Sequence, residues 1–384
     1  MLTYGIVTGA ARLCMPVLFK QISDDLGLNV VAIGTIWGMD PLAGIFIGLP
    51  GGLLADRFGV RRTLTIVCIL AGIFGALRGL SVNFISMAVT MFLFGLMAAA
   101  APSIVPKMTA EWFGGRQLGM ANAFLNIAWA IGAMFATMLS ATVFSPLFGS
   151  WRWVMLLYGA PSVLLGLLWF TTVREPDASE LPDTIAVKVP FREALSRVVR
   201  MKEVWIIGLI TTATWGAGMG LIGYLPLYLR NIGWTPTSAD SAITVFNGVT
   251  SLGVIPMVLL SDKLGSRKAV IAISVTSLAL SLGLLPLVNT SGVWVLLVTC
   301  GFLRSGAAAL FNVMIFEIKG VGSTYGGTAT GLANTISMVG AFLAPPLGNS
   351  LAAINQGYPF FFWSGLAALS LPMLFFIKNR TGQS

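Results

Sequence analysis

The chain has no histidine, only 14 acidic residues, and charged side chains at just 10% of its 384 positions. A soluble globular domain carries about 25% charged residues, so that class is excluded. Without histidine, the commonest general base and metal ligand is missing. Cysteine is also scarce: Cys14, Cys68 and Cys300 sit singly in apolar stretches, with no metal-ligand spacing. No disulfide framework, metal site or cofactor is expected. No phosphate loop is present, and no nucleophile, base and orienting acid fall together, so enzymatic activity is not expected.

Apolar sequence fills the space instead. Hydrophobic residues make up 56% of the chain, with 44 Gly, 24 Phe and 11 Trp. The apolar runs are long and continuous, unlike the alternating segments of about ten residues in a transmembrane barrel. At about 20 residues per spanning helix, the chain has room for about twelve spans. Charged and Gly/Pro-rich breaks place them near 2–19, 29–55, 62–80, 84–106, 117–144, 151–172, 204–229, 238–260, 269–288, 293–317, 325–352 and 359–377. The opening lacks a basic n-region, so a removable signal peptide is not expected.

The net charge of +9 invites a nucleic-acid reading, but the 23 Lys and Arg sort by side of the membrane. Seventeen fall on one side and four, Lys20, Arg78, Arg152 and Arg230, on or near the other. The positive-inside rule puts both termini in the cytoplasm, at an inner membrane. The basic excess then reports topology and attraction to anionic lipid, with no nucleic-acid partner. One long loop, 173–203, carries 12 of the 37 charged residues. It divides the chain into bundles at 1–172 and 204–384. Within it, Ala194, Leu195, Val198 and Val199 share a face opposite Arg192, Arg197 and Arg200 after Pro190. That pattern suits a helix on the inner leaflet, or a solvated linker.

The two halves repeat. Asp56-Arg57-Phe58-Gly59-Val60-Arg61-Arg62 recurs 206 residues later as Asp262-Lys263-Leu264-Gly265-Ser266-Arg267-Lys268, and Gly95 and Glu111 meet Gly301 and Glu317 at the same offset. Two residues further out of register, Gly119, Ala121, Asn126 and Gly132 meet Gly327, Ala329, Asn334 and Gly340. The chain reads as a duplicated six-helix unit, an arrangement that suits alternating access across a membrane.

The stretch Gly52-Leu53-Leu54-Ala55-Asp56-Arg57-Phe58-Gly59-Val60-Arg61-Arg62 resembles the loop between helices 2 and 3 of the major facilitator superfamily. The resemblance spans the whole chain, with Val258 standing where the first copy has Gly52. It implies an all-α membrane protein with twelve transmembrane helices in two pseudo-symmetric six-helix bundles, monomeric, with helices 1, 4, 7 and 10 around a central cavity. It also implies that Gly52, Asp56, Arg57, Gly59, Arg61 and Arg62, with Asp262 and Arg267 in the second copy, form a conformational latch.

Ionisable groups inside the bilayer cost about 2.5–3.5 kcal/mol even on the lenient insertion scale, so they face a cavity or a partner. Arg12 lies on the first span, with Tyr4 and Thr8 stacked at four-residue spacing. Arg304 lies mid-way along the tenth, with Ala308 and Asn312 continuing its face. Asp40, on the second, is read as the only acid deep in a span. Two arginines, one from each half, would attract an anion. For Arg12 an ion pair with Asp40 is the alternative; for Arg304 it is snorkelling to an interface. Asp40 is the candidate proton carrier, taking up or releasing Arg12. Arg78 is read as interfacial, or as part of an entry funnel. Asn126 and Trp129 on the fifth span, and Asn334 on the eleventh, share matching faces that line a site or bond helices together. Trp151 is expected among the interfacial anchors.

The paired Asn resemble the nitrate/nitrite, cyanate and carboxylate porters of the family. Nitrate porters resemble one another in arginines on helices 2 and 8, which are missing here, so a mono- or dicarboxylate is expected, and a proton carried on Asp40 would make the transport symport. The alternatives are a proton-coupled exporter of drugs or metabolites, and a sensor that retains the fold without moving solute.

Overall fold

The computed structural model describes residues 2–48, 57–112, 115–172 and 191–377. They are helical, and among them eleven stretches are long and apolar enough to cross a membrane. The first half forms α1 (Leu2–Leu26), α2 (Val30–Ile47), α3 (Val60–Leu77), α4 (Phe84–Trp112), α5 (Gly115–Leu139) and α6 (Trp151–Thr172). A short α7 (Phe191–Val198) precedes α8 (Lys202–Asn231), α9 (Pro236–Leu264), α10 (Arg267–Leu284), α11 (Thr290–Arg304), α12 (Ala307–Glu317), α13 (Gly322–Ser350) and α14 (Tyr358–Leu369). Within the described residues the expected spans fall mainly on helix. The first, α1, has 25 residues and runs past its expected span to Leu26, beyond Asp24 and Asp25.

Local chemistry sets the helix starts. Asn29 accepts from the Ala32 N–H at 2.8 Å and Asn289 from the Gly292 N–H at 2.9 Å, each capping a helix whose first amides lack intrahelical partners. Gly59 and Gly265 take φ of +83° and +59° just before α3 and α10, a turn that strains any residue with a Cβ.

One expected span is interrupted. The tenth, read as a single helix, breaks at Ser305–Gly306 into α11 and α12. α9 approaches too closely for a straight run, since Met257 lies against Gly306 and Phe302 against Gly253. Ser274 of α10 donates to the Leu303 carbonyl at 2.6 Å, serving an acceptor at the frayed end of α11.

Packing divides the chain into two compact units, Met1–Thr184 with Gly223–Thr244, and Ile185–Ile222 with Val245–Ser384. Residues 223–244, at the junction of α8 and α9, therefore pack with the first unit. In that unit α1 packs on α5, α2 on α4 and α3 on α6. In the second, α8 meets α13, α9 meets α11, and α10 meets α14. The same pairings recur in the same order, so the sequence repeat is also a packing repeat. Its sharpest expression is a pair of glycines: a Cβ on Gly132 would overlap the Ile6 carbonyl, and one on Gly340 the Thr212 carbonyl. Each thereby lets two backbones touch.

The helix α7 forms in the stretch after Pro190 where the sequence places one. Its apolar residues Ala194 and Val198 are buried, Val198 within the cluster of Val204, Ile207 and Val321 of the second unit. Arg197 stacks 4.8 Å from the Tyr325 ring. Of the same stripe Leu195 is half-buried and Val199 exposed, as are Arg192, Arg197 and Arg200.

Candidate functional site

The first unit holds one buried acid on α2. Asp40 is 1% exposed and pairs with Arg12 of α1 at 2.5 Å, while Arg12 remains half-buried. The pairing alternative for Arg12 is thus the arrangement seen. The carboxylate sits where α2 and α4 touch, because Gly95 presents no side chain against the Asp40 backbone. Each oxygen lacks a well-aligned hydrogen bond, so Arg12 compensates it mainly as a charge.

The repeat shows what the second unit does at the same place. Adding 206 converts Asp40 to Phe246, Arg12 to Gly218 and Gly95 to Gly301. Gly301 of α11 lies against the Phe246 backbone, as Gly95 lies against Asp40. Here the guanidinium comes from another helix. Arg304, the last residue of α11, lies 5.5 Å over the Phe246 ring and fills the space left by Gly218, where a Cβ would come within 2.9 Å of its Nη2. Both units thus place an arginine beside the same pair of equivalent positions, facing a carboxylate in one and an aromatic ring in the other. Among the described residues no carboxylate lies within ion-pair distance of Arg304. The negative end of the α11 dipole and the ring face favour the cation without neutralising it.

Two charged groups depart from expectation. Arg78, read as interfacial, is fully buried. It donates to the Ala11 carbonyl at 2.8 Å and the Gly75 carbonyl at 3.0 Å, and lies 4.3 Å from the Phe94 ring centroid. Asp40 is not the only buried acid either. Asp240 of α9 is 0% exposed and pairs at 2.6 Å with Arg230 of α8, which also donates to the Val17 carbonyl at 2.8 Å. Both lie near span ends in the sequence, where charge reads as interfacial; ten-residue spacing across a helix junction was the one available signal. Trp151 is likewise buried rather than anchoring an interface, its indole N–H donating to Asp25 at 3.0 Å.

The polar candidates are spread over several helices. Asn126 and Trp129 of α5 are exposed, with Asn126 donating to the Asn122 carbonyl at 2.8 Å. Asn312 of α12 and Asn334 of α13 are exposed in the second unit. An uncovered amide on a span disfavours lipid and suits water or a polar ligand. The side chain of Tyr4 lies outside the described residues.

Of the latch residues, Gly52 and Asp56 lie outside the described residues. Arg61 donates to the Phe170 carbonyl and stacks 5.4 Å from its ring, while Arg57 and Arg62 are exposed. In the second copy Arg267 pairs with Glu317, at the end of α12, and Asp262 is exposed. Glu317 was matched to Glu111 by the repeat but was not assigned to the latch.

Comparisons with known proteins agree with this architecture. The family model described as Major Facilitator Superfamily matches residues 1–235 and 221–384. The hexuronate transporter of Bacillus subtilis (strain 168) is 23% identical over 99% of this chain and 93% of its own length. The probable nitrate/nitrite antiporter NarK1 of Thermus thermophilus is 26% identical over 96% and 85%. The match to the probable galactarate/D-glucarate transporter GudP of Bacillus subtilis (strain 168), at 29% identity, spans only 44% of this chain and 38% of that relative. Among solved structures, a D-xylose-proton symporter superposes with a TM-score of 0.77 at 16% identity, covering 99% of this chain and 97% of that one. A bacterial homolog to the human lysosomal transporter Spinster, inward-facing and occupied, gives 0.76 at 15%, covering 99% and 96%. The family match over both halves, the repeated loop and the shared fold converge: the chain belongs to the Major Facilitator Superfamily.

Proposed function

We propose that the chain is a secondary active transporter of small organic acids that works by alternating access. The observation that carries the reading is Arg304, a guanidinium within a predicted span, set over Phe246 with no acid at ion-pair distance among the described residues. A cation kept in that setting suits a ligand that brings its own carboxylate, and the guanidinium fork matches carboxylate geometry. Relatives named for hexuronate, galactarate/D-glucarate and cis,cis-muconate transport support the same chemical class.

Arg12 is the second proposed ligand group, held by Asp40 until a proton on Asp40 frees it. Proton symport follows from that exchange. Asn126, Trp129, Asn312 and Asn334 are proposed to contact the hydroxylated or apolar body of the substrate, with Tyr4 beside them in sequence register with Arg12.

The test is thermal stabilisation of the purified protein by D-glucarate, a hexuronate, cis,cis-muconate, nitrate, neutral sugars and lipophilic cations. Stabilisation follows RT ln(1 + [L]/Kd), so affinities can be ranked from concentration dependence. An organic acid should stabilise the wild type and lose that effect in Arg304→Gln. Stabilisation by lipophilic cations alone, undiminished in Arg304→Gln, would overturn the reading.

A further inference from the structure

Gly216, Gly218 and Gly220 stand at alternate positions of α8, and each faces a different helix of the second unit. A Cβ on Gly216 would come within 2.8 Å of the Gly340 carbonyl of α13, and one on Gly220 would overlap the Trp363 indole of α14. Neither neighbour can give way. The carbonyl belongs to a packed backbone, and the indole is fully buried with its N–H donating to the Ala344 carbonyl at 2.8 Å. Close helix packing accounts for both glycines.

Gly218 is different. Apart from its chain neighbours and its own helix backbone, the atoms among the described residues within 4 Å of a Cβ at that position are Nη2 and Cζ of Arg304, at 2.9 and 3.6 Å. These form the tip of a long side chain, which can swing aside to admit a methyl group. A glycine inside a helix lowers its stability relative to alanine, and here no contact with another backbone requires one. What the missing Cβ protects is the place of the guanidinium. Arg304 rests there 5.5 Å over the Phe246 ring, whose face attracts the cation without neutralising it. The repeat sharpens the contrast, since the positions of Gly218 and Phe246 are those of the ion-paired Arg12 and Asp40 in the first unit.

We propose that Gly218 is a positioning residue for the anion site of the second unit: by omitting a Cβ it seats the Arg304 guanidinium on the Phe246 ring, with its fork open to a substrate carboxylate. This rests on the organic-acid reading above and adds the residue that sets the geometry of its anchor. A methyl group at position 218 pushes the guanidinium off the ring and turns the fork away. A carboxylate at the same position does more, because it gives Arg304 the internal partner that Asp40 gives Arg12.

The experiment measures Kd for D-glucarate and a hexuronate by thermal shift of the purified full chain, as wild type, Arg304→Gln, Gly218→Ala, Gly218→Asn and Gly218→Asp. Without ligand, Gly218→Ala should unfold at or above the wild-type midpoint, because alanine favours the helix and only a movable side chain stands in its way. It should nevertheless bind both acids about tenfold more weakly, the loss expected when a charge-assisted hydrogen bond is misplaced. Asn and Asp have the same shape and differ in charge, so Gly218→Asp should bind at least about tenfold more weakly than Gly218→Asn, with Nη2 of Arg304 occupied by the new carboxylate. A glycine needed only for packing would instead lower the ligand-free midpoint in Gly218→Ala and weaken Asn and Asp alike, and either result overturns the proposal. Should the two polar variants fail to fold, Gly218→Ala decides by itself: affinity within twofold of the wild type, or a clearly lowered ligand-free midpoint, defeats the positioning role. The parent reading fails separately. If no organic acid stabilises the wild type, or Arg304→Gln is stabilised as well as the wild type, Arg304 is not the anchor and Gly218 has nothing to position.

Discussion

Arg230 and Asp240, at the end of α8 and the start of α9, meet at 2.6 Å with the carboxylate fully buried and the guanidinium 9% exposed. The pair closes the helix junction on itself and passes its spare N–H to the Val17 carbonyl of α1. Removing one partner leaves an uncompensated buried charge, which typically costs about 3–5 kcal/mol. Asp240→Leu should therefore lose about that much stability in denaturant titration in detergent. Replacing both groups with apolar residues of similar size, as in Arg230→Met/Asp240→Leu, should recover most of it. A single variant as stable as the wild type would show that the junction is held by its apolar packing alone.

The glycine contacts make a prediction about the repeat. Gly132 and Gly340 each let α5 or α13 rest on the backbone of the helix opening its own half, at Ile6 and Thr212. Those carbonyls cannot retreat as a flexible side chain would. Gly132→Val and Gly340→Val should each destabilise by at least the 1–3 kcal/mol typical of overpacking, about equally. Thermal unfolding of the two variants checks both magnitude and equality. A large loss at one and none at the other would mean that the duplicated packing is not a duplicated source of stability.

Asp40→Asn should separate coupling from movement. Asn keeps the shape of the side chain and cannot carry the charge that holds Arg12. Concentrative uptake of an organic acid into proteoliposomes under an inward proton gradient should vanish. Exchange of the same acid across the membrane without a gradient should persist. Uptake that still follows the proton gradient in Asp40→Asn would remove Asp40 from the coupling step.

Much of this was legible in the sequence because lipid leaves so few solutions. With no water to satisfy backbone groups, long apolar runs must be helices, and within the described residues the expected spans are mainly helical. The repeat, first visible at an offset of 206 residues in a charged loop, reappears at that offset as the equivalence of Asp40 with Phe246, and at an offset of 208 as the carbonyl contacts at Gly132 and Gly340. Geometry between helices was not legible. The Ser305–Gly306 pair in the apolar run 293–317 is a step at which helices kink, but the sequence does not show that α9 packs against it there. Arg78 was misread for a related reason, and Asp240 was passed over. A charge near a span end reads as interfacial from position alone, yet a long side chain can turn inward to the carbonyl of another helix. The pairing of Arg12 with Asp40 could be anticipated from scarcity, since Arg12 and Asp40 were the nearest opposite charges on adjacent spans. That Arg304 would reach the equivalent place from α11 could not.

The loop opening α10 supports a test of the latch. Arg267 pairs with Glu317, both partners being partly exposed, at 31% and 46%. An ion pair so open to solvent contributes at most about 1 kcal/mol to stability, so Glu317→Gln should leave the unfolding midpoint almost unchanged. The pair joins the start of α10 to the end of α12 across the turn at Gly265. If that tie holds one conformation of the transport cycle, its loss should change the rate of exchange and leave the substrate Kd within about twofold. A charge-swapped double variant, Arg267→Glu/Glu317→Arg, should then restore exchange toward the wild-type rate. Unaltered exchange in Glu317→Gln would confine the pair to anchoring the loop. A parallel loss of binding and exchange would point instead to damage spreading through α12 to Asn312.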